Sequence, residues 1–229
     1  MKKVAFISDI HSNQPALESV LNDIKSRNID FIYCLGDIIG YHSFPNEVIE
    51  LLKANHVISI KGNHDEVITE KKFNRDNNDD FVLYWNYDKL TEENLKFLEH
   101  LPNCIEFQVE NIDVKIVHGS PDSSSEYIRK DSSQIDKYFG LMETDILVCG
   151  HTHIPYIAQK DNKYILNSGS VGKSKWGRPQ GSYILLTVNN SDFDIEIIYV
   201  NYDYNKMVNH LKNNYFPEKL IEAIKTGLP

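Results

Sequence analysis

Apolar and polar positions follow two different rhythms in the first third of the chain. Short unbroken apolar runs at residues 4–7, 31–35 and 57–60 are typical of strands that are buried on both faces. A polar cap and a proline at residues 12–15 predict the start of a helix, and residues 46–55 predict a second one. Within the first helix, apolar residues recur three and four positions apart: Leu17, Val20, Leu21 and Ile24. Strand, helix, strand, helix, strand predicts a βαβαβ unit with a parallel sheet.

The stretch from residue 66 to about residue 101 has a different character, because it is polar and aromatic. It carries an acidic, amide-rich patch at residues 76–80. An amphipathic helix lies near its end, with Leu95, Phe97 and Leu98 on the apolar face. We interpret residues 66–101 as a helical insertion. Two roles are open for it: a lid over a functional site, or a peripheral pair of helices without a ligand role.

The second half of the chain contains a second set of predicted strands. Apolar or alternating patterns place them at residues 105–109, 114–117, 146–149, 156–158 and 164–166. Two alternating strands at 183–188 and 193–200 are expected to finish this second sheet, and residues from 203 onward predict one or two short helices. We find no internal repeat and no flexible linker. The simplest architecture is one α/β domain over residues 1–229, with two facing mixed sheets flanked by helices.

Composition narrows the function classes. Among 229 residues, 41% are hydrophobic and 25% are charged, as in a soluble globular protein. The formal net charge of −9 argues against binding of nucleic-acid polymers, because phosphate backbones attract basic surfaces. Three well-separated cysteines, Cys34, Cys104 and Cys149, argue against a disulfide framework and favour a cytoplasmic location. No apolar run approaches the roughly 18 residues of a membrane span, so no membrane association is expected.

Polar groups of the kind that bind metals follow five of the apolar runs. They are Asp9 and His11, then Asp37, then Asn63 and His64, then His118, then His151 and His153. Glycine precedes three of these groups, at Gly36, Gly62 and Gly150, where it allows a tight turn and a close approach. Oxygen and imidazole donors without thiolate suit manganese, iron, nickel or zinc. Even without His64, seven such groups remain, which are too many for one ion and suit two divalent ions that share one carboxylate.

These motifs resemble those of the calcineurin-like metallophosphoesterase family. The family pattern is D-x-H, GD, GNH-[DE], an isolated H and GH-x-H, and all five motifs occur here in order between Asp9 and His153. The phrases at residues 117–121 and 169–172 are similar to those of compact bacterial and archaeal phosphodiesterase-like proteins. The resemblance implies a four-layer sandwich and a dinuclear metal site. It also implies hydrolysis of phosphodiester or phosphomonoester bonds of small or nucleotide-like substrates by metal-bound hydroxide, with manganese as the first candidate metal and iron, nickel or zinc as alternatives.

Carried over motif by motif, the resemblance implies a role for each site residue. One metal would be held by Asp9, His11 and His153, the other by Asn63, His118 and His151, and Asp37 would bridge them. His64 would contact the substrate and act in catalysis, and Asp65 would orient it. A polar residue at the position of Asn13 faces the site in the family, whereas the local sequence favours an N-cap, so both roles are open. The turn at residues 167–170 either supports the metals and substrate or is an ordinary tight turn.

The chain departs from the protein phosphatase branch of the family in one respect. After Gly36 and Asp37 it lacks the downstream Asp-Arg-Gly motif, whose arginine grips phosphate, and this disfavours phosphoprotein substrates. A basic, aromatic loop at residues 173–178 is a candidate contact for substrate or for a second subunit of a homodimer. Alternative functions are a phosphatase, a dinucleoside-polyphosphate hydrolase, or a non-catalytic scaffold like the retromer subunit of this fold. That scaffold lacks the histidine that corresponds to His64.

Overall fold

The computed structural model describes residues 1–77, 80–190 and 192–229. The strands in these ranges are β1 (Lys2–Ile7), β2 (Phe31–Cys34), β3 (Ile58–Ser59), β4 (Cys104–Val109), β5 (Ile112–Val117), β6 (Ile146–Cys149), β7 (Tyr156–Lys160), β8 (Lys163–Asn167), β9 (Gln180–Asn189) and β10 (Asp192–Asn201). The helices are α1 (Gln14–Ser26), α2 (Pro45–Ala54), α3 (Asn63–Thr69), α4 (Phe81–Lys89), α5 (Glu92–Glu99), α6 (Ser133–Leu141), α7 (Tyr204–Asn213) and α8 (Glu218–Thr226).

The strands form two five-stranded mixed sheets. The first has the order β10-β9-β1-β2-β3, and the second has the order β4-β5-β6-β8-β7. In the first sheet β1, β2 and β3 are parallel, which confirms the predicted βαβαβ unit. In the second sheet β5, β6 and β8 are parallel. Each sheet therefore has three neighbouring parallel strands whose carboxyl ends are available for a site.

The prediction that the last two strands finish the second sheet is wrong. β9 pairs antiparallel with β1, with Lys2 opposite Val188, and β10 pairs with β9, so both belong to the first sheet. Between β8 and β9 the chain runs alongside the residues that follow β1. There Val171 N donates to Ser8 O (2.9 Å) and Gly172 N donates to Asp9 O (3.0 Å). An alternating pattern reports which face of a strand is buried, but it carries no information on which sheet edge the strand joins.

The core has the layered arrangement that the sequence predicts. Alternate residues of β1 point to opposite faces: Val4 and Phe6 are buried between the sheets, and Ala5 and Ile7 are buried against the helices. The predicted apolar face of α1 packs in this second cluster. On the outer face of the second sheet, buried residues of α6 cover Leu147 and Cys149. The order helices, sheet, sheet, helix gives four layers.

The predicted insertion consists of α3, α4 and α5. α3 begins at Asn63, earlier than predicted. Asn63, His64 and Asp65, the polar residues that follow β3, therefore lie in the first turn of this helix. α5 packs on α2, where Lys53 Nζ donates to Asn94 Oδ1 (2.6 Å) and Leu98 is fully buried. Two residues of the acidic patch, 78 and 79, lie outside the described residues. The described helices include none that is long and apolar enough to cross a bilayer.

Candidate metal centre

Five of the polar residues at the strand ends share an unusual backbone conformation. Their φ angles are positive: Asp9 53°, His11 49°, Asp37 51°, His151 61° and His153 59°. For residues with a Cβ atom this left-handed region costs energy, and it persists where surrounding contacts enforce it. The side chains of all five belong to groups whose ligand atoms lie within 4.8 Å of one another. Such strain is typical of ligand-binding positions.

Two of the predicted glycines allow neighbouring strand ends to meet. A Cβ atom on Gly62 would lie 2.2 Å from Asp37 Oδ1, and one on Gly150 would lie 2.7 Å from Asp9 Oδ2. These glycines are therefore needed because each packs directly on a carboxylate of the adjacent strand. From the sequence, these glycines were expected to let the backbone approach an ion. In the structure they let the backbone approach the carboxylates of two candidate ligands, Asp37 and Asp9.

The first candidate triad consists of Asp9, His11 and His153. Their ligand atoms lie within 4.8 Å of one another, and all three side chains are buried. His153 Nε2 lies 3.1 Å from Asp9 Oδ1 and 3.3 Å from His11 Nε2. This is the set that the resemblance to the metallophosphoesterases implies for one metal.

The second candidate triad consists of Asp37, His118 and His151, again within 4.8 Å of one another. Asn63 joins it, since its Oδ1 atom lies 2.9 Å from His118 Nε2. Residues of the set assigned to the other metal are therefore also gathered in one place.

A single carboxylate oxygen lies next to both triads. Asp37 Oδ2 is 3.6 Å from His11 Nε2 and 3.4 Å from His118 Nε2. The other oxygen, Oδ1, accepts a hydrogen bond from the backbone nitrogen of His64 at 2.8 Å. Asp37 is thus held in the position that a bridging carboxylate needs.

Backbone carbonyls fix the ring tautomer of three histidines. His118 Nδ1 lies 2.7 Å from Leu35 O, and His151 Nε2 lies 3.1 Å from Ser125 O. His153 Nδ1 makes the same kind of contact with the carbonyl of Lys173 at 2.5 Å. A carbonyl only accepts, so the ring nitrogen that faces it carries the proton. In a neutral ring the other nitrogen then presents a lone pair to the cluster. No sequence signal marks these carbonyls, because every residue has one.

The cluster has the character of a cation site. Asp9 Oδ1 and Asp37 Oδ2 are buried and lack a hydrogen-bond partner among the described residues. His153 Nε2 is 3.1 Å from Asp9 Oδ1, and with the neutral imidazole that a metal ligand requires, this contact is one between two acceptors. Acceptors that face each other in a buried site repel unless a positive charge lies between them. The residues present therefore fit divalent metal ions.

The charges of the cluster shift the pKa values of its members. Burial alone would raise the pKa of Asp37, but the charges of His118 and His64 hold it well below its usual value. Burial would lower the pKa of His118, yet the charge of Asp37 raises it to about 9. For His11, burial dominates and holds the pKa well below its usual value. A proton on His118 thus supplies the positive charge next to Asp37 that a bound metal ion would otherwise supply.

The structure places His64 beside the cluster and Asp65 against the backbone around it. The His64 ring packs edge-on against the His11 ring, with centroids 4.8 Å apart. Both Asp65 oxygens accept backbone N–H groups, from Gly62 (2.9 Å), Ile38 (3.3 Å) and Ile39 (3.1 Å), and none of these bonds involves the His64 ring. Asp65 therefore holds the loop that follows Asp37, and its role in orienting His64 stays a prediction.

Asn13 is an N-cap in this structure. Its Oδ1 atom accepts from Ala16 N at 3.2 Å, and its Nδ2 atom donates to Gly172 O at 2.8 Å and to Tyr202 Oη at 3.3 Å. The side chain is fully buried, and these bonds use both amide hydrogens. The contacts favour the structural role, and the substrate-binding role of Asn13 stays a prediction.

The turn at residues 167–170 supports the candidate ligands from behind. Asn167 Nδ2 donates to Gly150 O at 2.6 Å, and Ser170 Oγ donates to Asp9 O at 2.7 Å. Of the two interpretations of this turn, these contacts favour the supporting role. The buried His42 contacts the carbonyl of His11 through Nδ1 at 2.8 Å.

Comparison with known proteins gives one consistent result. An uncharacterized protein of Methanocaldococcus jannaschii is 37% identical over 98% of both chains. A phosphodiesterase of Escherichia coli, YfcE, is 28% identical over 81% of this chain and 88% of its own. The crystal structure of a metallophosphoesterase from Sphaerobacter thermophilus superposes with a TM-score of 0.86 at 28% identity, over 99% of each chain. Residues 1–191 match the model of the calcineurin-like phosphoesterase superfamily domain, and the chain belongs to this family of phosphoesterases.

Proposed function

We propose that the chain hydrolyses phosphodiester or phosphomonoester bonds of small or nucleotide-like substrates with two divalent metal ions, manganese first among them. Asp9, His11 and His153 would hold one ion, and Asn63, His118 and His151 the other. The observation that carries the proposal is the position of Asp37 Oδ2, 3.6 Å from His11 Nε2 and 3.4 Å from His118 Nε2. One oxygen within reach of both triads supports a shared ligand, and hence a dinuclear centre.

When bound, the ions would supply a water molecule of lowered pKa and positive charge next to the phosphoryl oxygens. The residues of the chain then have three tasks. Three backbone carbonyls hold the ligand histidines in one tautomer and orientation. Asp65 fixes the loop that carries Asp37. His64 is left for the substrate.

His64 is suited to proton transfer or charge stabilisation at the leaving oxygen. Its Nδ1 atom is buried and without a hydrogen-bond partner among the described residues, so the ring is not committed to a structural bond there. Burial lowers the pKa of His64 from its usual value, and the charge of Asp37 opposes this shift. A phosphoryl group at the cluster would add negative charge and favour the imidazolium form.

The test compares 4-nitrophenyl phosphate with bis(4-nitrophenyl) phosphate, each with manganese, for wild type and three variants. Asp37→Asn is expected to lose metal and activity together. His64→Ala is expected to keep the metal and to lose about 10²–10⁴-fold in kcat, the range of a general acid–base group. His100→Ala is the control, because His100 is exposed at the end of α5. Undiminished turnover in chelator-treated wild type would overturn the proposal and favour a binding scaffold. Full activity in His64→Ala would remove the role of His64.

A further inference from the structure

A groove of about 890 Å³ opens beside the candidate metal centre, and the metal-binding motifs do not account for it. It runs along the loop after β6, where Thr152 and Ile154 flank His153. Its size is that of a small organic ligand. Residues from five separate parts of the chain line it, which is why no single sequence motif predicts it.

One wall of the groove is cationic. Arg129, Lys130 and Lys175 line it, against the one carboxylate of Asp131. Within the described ranges, no carboxylate lies within ion-pair distance of these three cations, in contrast to Lys137, which pairs with Asp122. In a chain with a net charge of −9, three unpaired cations on one wall form a local anion-binding surface.

Lys175 and Arg129 connect this wall to the candidate centre. Burial lowers the pKa of Lys175, and the charges of Asp9 and Asp37 oppose the shift, so the ammonium group lies within electrostatic reach of both carboxylates. The guanidinium of Arg129 lies over the Tyr127 ring at 5.2 Å, and the same ring stacks on His151 with centroids 4.1 Å apart. These contacts restrain the distance between Arg129 and His151, a candidate metal ligand.

Another part of the lining is apolar. Ile154, Pro155 and Ile197 belong to it, and Ile154 is 47% exposed although it directly follows His153. An exposed isoleucine next to the candidate metal centre offers surface for the apolar part of a ligand. The groove is therefore amphipathic, because its lining contains both cations and hydrocarbon.

We propose that this groove binds the part of the substrate that is not hydrolysed. It selects phosphoesters in which that part carries a second anionic group on an apolar or aromatic body. Lys175 and Arg129 contact the second anion, and Ile154 contacts the body. This inference rests on the proposed function, because it assigns the substrate class of the same site.

The test uses two chromogenic diesters with the same leaving group, the 4-nitrophenyl esters of thymidine 5′-phosphate and of thymidine 3′,5′-bisphosphate. They differ only in the second phosphate. Wild type is expected to prefer the bisphosphate ester by roughly 10–100-fold in kcat/KM, mainly through KM. Lys175→Gln and Arg129→Gln are each expected to reduce this preference about tenfold. Lys160→Gln, whose lysine is paired with Asp136 outside the groove, keeps the wild-type ratio.

A second measurement separates this proposal from the proposed function. Binding of unesterified thymidine 3′,5′-bisphosphate and of thymidine is measured by calorimetry on chelator-treated protein. Tighter binding of the bisphosphate, weakened in Lys175→Gln and Arg129→Gln, supports the groove even when neither ester is hydrolysed. Hydrolysis of both esters at equal kcat/KM, with no effect of either variant on the ratio, overturns the groove and leaves the phosphoesterase proposal standing. Equal binding of thymidine 3′,5′-bisphosphate and of thymidine also overturns the groove proposal.

Discussion

Gly62→Ala tests whether the strand ends approach each other as closely as the structure shows. Gly62 has an extended backbone, with φ at −98°, so alanine meets no conformational obstacle there. The added Cβ atom, however, would lie 2.1 Å from the backbone nitrogen of Asp37 and 2.2 Å from its Oδ1 atom. Separation to the 3.0 Å that real Cβ contacts reach requires a shift of about 0.9 Å from the 2.1 Å contact. The moving group is backbone, and it carries the proposed bridging ligand.

The expected losses follow from that displacement. Overpacking of this kind costs about 1–3 kcal/mol of unfolding free energy. For a chain of this size, each kcal/mol lowers the melting temperature by about 2–4 °C. A misplaced support for a metal ligand typically costs about 10–100-fold in metal affinity. The assays are thermal unfolding in the presence of a chelator and calorimetric titration with manganese, because they separate the loss of stability from the loss of metal binding.

Gly140→Ala is the matched control for this variant. Gly140 lies in α6, and a Cβ atom there would have no neighbour within 4 Å. Alanine in place of a helical glycine is expected to raise stability by about 0.5–1 kcal/mol and to leave manganese affinity unchanged. Wild-type unfolding and wild-type manganese affinity in Gly62→Ala would refute the close packing of Gly62 on Asp37.

Two further predictions concern an N-cap and a proton. Asn13→Ala should lower stability by about 1–2 kcal/mol through loss of the cap and should leave KM unchanged, whereas a raised KM at full stability would favour the substrate-contacting role. Metal binding should release about one proton, because the pKa of His118, raised to about 9 beside Asp37, keeps its ring protonated at pH 7 and the metal requires the neutral form. Manganese affinity should therefore rise with pH up to about 9 and then level off. Calorimetry in buffers of different ionisation enthalpy measures the proton, and a pH-independent affinity would contradict the assignment.

The sequence predicted the elements of the fold better than their arrangement. Unbroken apolar runs identified β1, β2 and β6 because a strand buried on both faces has no other pattern. β3 pairs with β2 at only two residues, Ile58 and Ser59. The length of this pairing depends on β2 as well as on β3, so the composition of residues 57–60 did not predict it. The pairing of β9 with β1 was missed for a similar reason: the edge that a strand joins depends on the path of the chain from β8, which crosses over Asp9.

The candidate site divides in the same way. Side chains with an unmistakable chemistry at strand ends, such as Asp9, Asp37 and His118, could be predicted to meet, because parallel strands bring their carboxyl ends together. The contacts that orient them come from backbone atoms, such as Leu35 O, and carry no residue signature. The groove near Arg129 is formed by loops from distant parts of the chain, so its residues acquire a common role only in three dimensions.

The most direct measurement of the central claim is the anomalous diffraction of crystals grown with excess manganese. The account predicts two peaks per chain, roughly 3.5–4 Å apart, with one oxygen of Asp37 bound to both ions. It predicts Asp9, His11 and His153 around one peak and Asn63, His118 and His151 around the other. A single peak with no ligands arranged for a second, or an Asp37 carboxylate turned away from both sets, would contradict it.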